Sequence, residues 1–196
     1  GGATATIPIY APPGRKGITP AISISYNSMG SEGIMGMGWN LNSISSINVS
    51  GRNYHLDGVQ ETVTLSSADK FMLDGERLLL TSGTHGAVNS EYRTEHDRFI
   101  RVKYTGSYFI VDSKDGARLF YGSSNDSKST PQGGTNPIAW LLKRSYDVNG
   151  NYVEYVYDNT NGQTLLTEIK YGDAWYIPAG KSFIAHLIED ASGDYF

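Results

Sequence analysis

Apolar and polar residues alternate with a period of two along much of this chain. In "AISISY", residues 21–26, Ile22, Ile24 and Tyr26 alternate with Ser23 and Ser25. "ETVTL" (61–65) repeats the pattern, and "RFIRVKY" (98–104) sets Phe99, Arg101 and Lys103 against Ile100, Val102 and Tyr104. Successive side chains of a strand point to opposite faces, so the pattern predicts strands with one face buried. "SYFIVD" (107–112), "ARLFY" (117–121), "NYVEYVY" (151–157) and "LLTEIKY" (165–171) read as further strands. "AWLLKRS" (139–145) and "SFIAHLIEDA" (182–191) contain helix formers but also fit strands, and strand is the preferred reading of both. Between the runs stand Asp57-Gly58, Asp74-Gly75, Asp115-Gly116, Asn149-Gly150 and Asn161-Gly162. Such pairs tolerate the positive φ of tight hairpin turns. The elements therefore predict an all-β fold of antiparallel strands, a meander, a sandwich-like arrangement or a curved sheet. Residues 122–137, "GSSNDSKSTPQGGTNP", read as a flexible loop by composition.

The 196 residues suffice for one all-β domain of ordinary size or two very small ones, and the even strand spacing favours a single domain, 1–196. With no cysteine, disulfide scaffolds, thiolate zinc sites and cysteine nucleophiles are excluded. Sixteen basic against twenty acidic residues give a net charge of −4, with the basic ones scattered, so nothing resembles a phosphate-binding stripe for nucleic acid. No apolar run approaches the roughly 18–20 residues of a membrane span, which argues against membrane insertion by this segment. The opening Gly1-Gly2 and the closing "ASGDYF" carry no start or end signal, and the chain reads as a fragment of a larger protein.

One stretch tests for chemistry directly. Residues 25–47, "SYNSMGSEGIMGMGWNLNSISSI", place Gly30, Gly33, Gly36 and Gly38 immediately before Trp39. A dinucleotide site needs G-x-G-x-x-G at a helix start. Here the order is G-x-x-G-x-G, followed by alternating isoleucines and serines rather than an amphipathic helix. Ile34, Met35, Met37 and Leu41 are too apolar for a solvated linker. The remaining reading is a compact corner. Its four glycines cost roughly 2–4 kcal/mol relative to alanine, which burial of an indole, roughly 4–6 kcal/mol as an upper value, offsets. In "DVNGNYVEYVYD", Asp147, Asn149, Asn151 and Asp158 fall at calcium-loop positions, but Tyr152 stands where the loop requires glycine. A hairpin turning at Asn149-Gly150 explains more of that stretch. The histidines, at 55, 85, 96 and 186, form no metal motif, and no G-x-S-x-G elbow is present. No catalytic, cofactor-binding or metal residue is therefore assigned.

The segment "IPIYAPPGRKGITPAISISYNSMGSEGIMGMGWNLNSISSI" resembles the opening of the SpvB-type N-terminal domain. That family occurs in the Salmonella plasmid virulence protein and in the B-components of insecticidal Tc toxin complexes. The matching residues are Ile7-Pro8-Ile9, Pro12-Pro13-Gly14, Gly17 to Pro20, Tyr26-Asn27-Ser28, and Gly36, Gly38, Trp39 and Leu41. The likeness continues through "FMLDGERLLL", "FIVDSKDGARLFYG", "AWLLKRSYDVNGNYVEYVY" and "LLTEIKYG". It implies a structural signature made of Pro13, Gly14, Tyr26, Asn27, Gly33, Gly36, Gly38, Trp39, Trp140, Asp147, Gly150 and Asn151. It also implies part of an RHS-type β-sheet shell around a downstream cargo, in a secreted or cell-surface bacterial protein. Its partners would be downstream YD/RHS repeats of the same polypeptide and other toxin-complex subunits. "YDVNGNYVEYVYD" itself is similar to one YD-type unit. The ADP-ribosyltransferase activity of the Salmonella protein resides in a separate domain and needs a Glu-x-Glu pair, a spacing absent from this chain.

Three functions stay open at this point. The first is a non-catalytic structural module. The second is a glycan- or protein-binding module with Tyr104, Tyr108, Tyr121, Tyr152 and Tyr155 as stacking platforms. The third is a hydrolase whose carboxylates meet only in space.

Overall fold

The computed structural model describes residues 2–14, 17–33, 36–42, 44–159 and 164–171. Strand β1 (Thr4–Ile9) pairs antiparallel with β2 (Ile22–Asn27). A two-rung hairpin of β3 (Glu32–Gly33) and β4 (Gly36–Met37) follows. Strand β5 (Trp39–Asn42) then returns beside β2 to complete a three-stranded sheet.

The chain next runs as a long antiparallel meander. Strand β6 (Ser46–Ser50) leads through the one-turn helix α1 (Tyr54–Asp57) to β7 (Lys70–Leu73) and β8 (Glu76–Ser82). Then come β9 (Glu91–Thr94), β10 (Arg101–Tyr104), β11 (Phe109–Asp112) and β12 (Arg118–Tyr121). After a 3-10 turn (Asn125–Ser127) and the short β13 (Lys128–Ser129), strand β14 (Ala139–Tyr146) closes the ring. Its first residues, Ala139, Trp140 and Leu141, pair with β6; Leu142, Arg144, Ser145 and Tyr146 pair with β12. Eight strands, β6 to β12 and β14, thus form a closed barrel. Strands β15 (Tyr152–Asp158) and β16 (Leu165–Tyr171) extend the sheet from the C-terminal half of β14 as an arm outside the ring. Closure removes sheet edges from the barrel itself.

Period two explains the core. Phe71 and Leu73, Tyr92 and Thr94, Phe109 and Val111, and Trp140 and Leu142 are buried pairs two residues apart. Phe71 on β7 meets Phe109 on β11 at 5.0 Å and Trp140 on β14 at 5.7 Å, both edge-on. These strands are not neighbours, so the contacts cross the barrel interior. The Trp140 indole N–H donates to the Ser107 carbonyl at 3.0 Å, which lets a polar ring atom sit in an apolar core.

The all-β antiparallel reading holds, and the curved sheet curves far enough to close on itself. Asp74-Gly75 is a two-residue hairpin turn with both residues at positive φ, 50° and 81°. Residues 139–145 lie in a strand. Two expectations fail. "ETVTL" forms no strand: residues 61–65 are exposed, and β7 takes the place beside β6. Among the described residues its alternation finds no neighbouring strand to pair with, and Val63 and Leu65 are exposed. Asp57-Gly58 is not a hairpin turn but the end of α1, where Gly58 at φ 69° donates its N–H to the Tyr54 carbonyl. Within 122–137, the 3-10 turn and β13 give residues 125–129 regular structure. "SFIAHLIEDA" and Asn161-Gly162 lie outside the described residues.

Candidate functional site

The glycine corner is built from main-chain bonds. Asn27 donates its N–H to the Gly38 carbonyl at 2.9 Å, Gly38 donates to Ser31 at 3.1 Å, and Gly30 donates to Asn27 at 2.8 Å. Gly38 has φ 77°, and a Cβ there would lie 2.5 Å from the Asn27 carbonyl oxygen, so no side chain fits. Gly33 and Gly36 face each other across the β3–β4 hairpin. Trp39 stacks on Tyr26 with ring centroids 4.9 Å apart, but it is half-buried. The indole covers one face of the corner rather than clamping it from within the core, because β5 lies in the small outer sheet and only Leu41 of that strand points inward.

Pro13 is exposed; Gly14 follows it, and a Cβ there would lie 2.9 Å from both the Ile18 carbonyl and the Tyr171 ring. That close approach brings the loop between β1 and β2 against the sheet arm. At the β14–β15 turn, the Asp147 carboxylate accepts from the Asn149 and Asn151 main-chain N–H groups and from the Asn151 side chain. Gly150 takes φ 81°. Asp147 is the cap of a hairpin, and those hydrogen bonds hold its carboxyl below the usual range. The signature residues thus fall into three separate places: the glycine corner, the Gly14 contact and the 147–151 turn. Trp140 belongs to the barrel core.

Sequence reasoning missed two polar clusters. Lys143, buried on β14, reaches Asp126 of the 3-10 turn at 2.9 Å and Glu154 at 3.6 Å. Asp126 also accepts from the Tyr157 N–H. Burial alone would raise the Asp126 carboxyl; the Ser124 and Lys143 hydrogen bonds outweigh it and hold the group low. The second cluster surrounds His85. Its Nε2 lies 2.6 Å from the Asp69 carbonyl, and its Nδ1 lies 3.3 Å from the fully buried Tyr92 hydroxyl. That hydroxyl already accepts from the Gly86 N–H and the Ser90 hydroxyl. Its own proton therefore goes to Nδ1, which makes His85 neutral with the proton on Nε2. Neither cluster has a sequence signal, because its members come from different turns and strands that meet only in the folded sheet.

Among the described residues no three His, Asp or Glu side chains are grouped to hold a metal. Several carboxylates are tied to arginines: Asp57 to Arg77 at 2.8 Å, and Asp112 between Arg101 and Arg118. Of the five candidate stacking tyrosines, Tyr121 and Tyr155 are buried, and Tyr104 packs on Phe109 at 4.6 Å. Tyr152 is exposed but lies against Arg144 and Tyr146. They do not form a common platform, because period two sends alternate residues of β15 to opposite faces. A cleft of about 700 Å³ opens between the N-terminal segment and strands β12, β14 and β15.

These features define a closed antiparallel barrel with an added three-stranded sheet and a protruding sheet arm. A family model described as "Salmonella virulence plasmid 65kDa B protein", SpvB, matches residues 1–174, and the chain belongs to that family. Proteins named mono(ADP-ribosyl)transferase SpvB, from Salmonella typhimurium strain 14028s and from Salmonella dublin, are 24% identical over 215 residues. The match covers 87% of this chain and 34% of each relative, so the chain spans about a third of their length. The fold is similar to part of the TcdB2-TccC3 crystal structure (TM-score 0.70, 23% identity, 87% of this chain and 10% of that one). It is also similar to part of the Photorhabdus luminescens Tc holotoxin pore (TM-score 0.67, 22% identity, 88% and 9%). The N-terminal domain of effector protein SpvB from Salmonella typhimurium strain LT2 aligns at TM-score 0.65 and 19% identity, over 90% of this chain and 65% of that one.

Proposed function

We propose that this chain is a non-catalytic structural module of a large secreted or surface protein of toxin/RHS type, supplying β-sheet to a shell around a downstream cargo. The observation that carries this reading is the arm. Strands β15 and β16 leave a closed barrel, and among the described residues no strand pairs the outer edge of β16. Unpaired edges are templates for further strands. The outer strand of the small sheet, β1, carries Pro8, which cannot donate to a ladder and guards an edge. Strand β16 has no proline. It is therefore the better edge for the next repeat. The architecture of the SpvB and Tc toxin relatives supports the same assignment.

Cryo-electron microscopy of the full-length gene product tests it. The expected result is a β16 ladder continued by a strand from a following repeat. A bare β16 edge, with this domain tethered apart from the rest, would overturn the reading. NAD consumption by the 196-residue chain alone would remove the word non-catalytic.

A further inference from the structure

We infer that the strand added to β16 carries a lysine or arginine beside Glu168, on the charged face of the sheet; this rests on the β16 edge proposed above and names what that edge recognises. The two faces of the arm differ. Val153, Tyr155 and Tyr157 of β15 and Leu166, Ile169 and Tyr171 of β16 are buried on one. The other carries charges in register: Arg144 of β14 stands opposite Glu154 of β15, and Glu154 opposite Lys170 of β16. Arg144 donates to Glu154 at 3.0 Å, and Lys170 lies 3.2 Å from Glu168 Oε2, two residues away on the same strand. The row breaks off at the edge. There Glu168 Oε1 is, among the described residues, the one buried side-chain polar atom with no hydrogen-bond partner. The whole side chain is only 15% exposed. A buried acceptor left unpaired costs stability, which a donor brought by a partner would recover.

The backbone puts this orphan where an incoming strand begins. The β15–β16 register shifts between Val156 and Tyr157, leaving Thr167 as an extra residue whose hydroxyl donates to the Val156 carbonyl at 3.1 Å. A bulge on an edge strand bends it and interrupts the row of pairing groups. Regular register runs from Glu168 to Tyr171, opposite Val156 to Val153. An antiparallel strand added along this stretch sets one residue directly opposite Glu168, on the same face, with Cβ atoms about 4.5–5.5 Å apart. A carboxylate oxygen accepts, so the orphan calls for a donor. A hydroxyl or amide would also make the bond. The same strand, however, takes water from the carboxylate, and a cation offsets that loss while making the stronger, charge-assisted bond. An acidic residue at that place would meet Glu168 with like charge.

Cryo-electron microscopy and hydrogen exchange on the full-length gene product test this. The expected result is a lysine Nζ or an arginine guanidinium nitrogen within about 3.2 Å of Glu168 Oε1. Glu168→Gln keeps an oxygen acceptor and loses the charge. It is expected to speed exchange of the outward-facing β16 amides about three- to tenfold and to leave the barrel amides unchanged. Glu168→Lys should speed them further, and replacing the opposing base by glutamate in that variant should restore the protection. A docked strand that offers Oε1 a neutral donor, or none, overturns the inference and leaves the β16 edge standing. So does unchanged exchange in Glu168→Gln when the edge is paired. A bare β16 edge removes both readings.

Discussion

His85 shows how one residue ties the barrel to pH. Its ring packs on Phe71 at 4.9 Å, and the Tyr92 network admits only the neutral form. Burial lowers its pKa; the Asp69 carbonyl opposes that, while Lys70 and Arg77 add to it, and Asp57 is already committed to Arg77. Above about pH 6.5, the ordinary histidine value, both folded and unfolded states carry a neutral ring and the full stability is present. Below it the unfolded chain takes up a proton that the folded protein resists, so stability falls as pH drops toward the lowered folded value. The urea midpoint is therefore expected to fall between pH 7.5 and 5.5 by more in the wild type than in His85→Gln, which keeps both hydrogen bonds and cannot titrate. Equal slopes would remove His85 from the account. Glycine gives a second residue-scale test. Gly122 has φ 67°, and a Cβ there would lie 2.2 Å from Trp140 Cδ1 in the core. Gly122→Ala should cost about 2–4 kcal/mol from strain and overpacking together, measured by denaturant unfolding. Gly133, in the same stretch, also has positive φ, but a Cβ there meets nothing within 4 Å, so Gly133→Ala should cost about 1–2 kcal/mol.

At the scale of elements, the 3-10 turn is pinned to the barrel by charge. Removing the Asp126 carboxylate leaves Lys143 buried with only Glu154 at 3.6 Å. Asp126→Ala should destabilise by about 2–4 kcal/mol, somewhat below the roughly 3–5 kcal/mol for a fully buried pair because the Asp126 side chain is 28% exposed. Tyr157→Phe loses only the bond to the Leu142 carbonyl and should cost about 0.5–1.5 kcal/mol. A reversed order in equilibrium unfolding would show that the hydroxyl, not the ion pair, anchors the turn. Most of these elements were legible: β2, β10, β14, β15 and β16 follow from period two and the turn at Asn149-Gly150. The failures share a cause. Residues 61–65 alternate as a strand does, but alternation records side-chain faces and not whether a neighbour is there to pair. Composition marked 122–137 as a loop, and it has no way to register that Ser127 is fully buried or that Asp126 meets Lys143 seventeen residues later. The glycine corner was legible as architecture because φ and close approach are local. The depth of Trp39 was not, because burial depends on which sheet β5 joins.

For the whole molecule, closure divides the sheet into unequal parts. Each barrel strand has at least two neighbours and faces an aromatic interior, so its amides open only when the barrel does. Among the described residues strand β1 has one neighbour, and its residues from Thr4 to Pro8 are exposed. Strand β16 also has one neighbour among the described residues, but it buries Leu166, Ile169 and Tyr171. Hydrogen exchange on the 196-residue chain should therefore rank amides of β7, β9, β11 and β14 slowest, β16 intermediate and β1 fastest. In the full-length gene product the shell reading makes a sharper demand. A strand added to β16 engages the outward-facing amides, which alternate along it with those already bonded to β15. Protection should then rise at every second residue of β16 and leave the barrel amides unchanged. A uniform rise across both sheets would instead mean that the longer chain stabilises the fold globally, with no strand docked on that edge. If β1 gained the alternating protection while β16 did not, the docking edge would be the one guarded by Pro8. The incoming strand would then have to end its ladder at that residue.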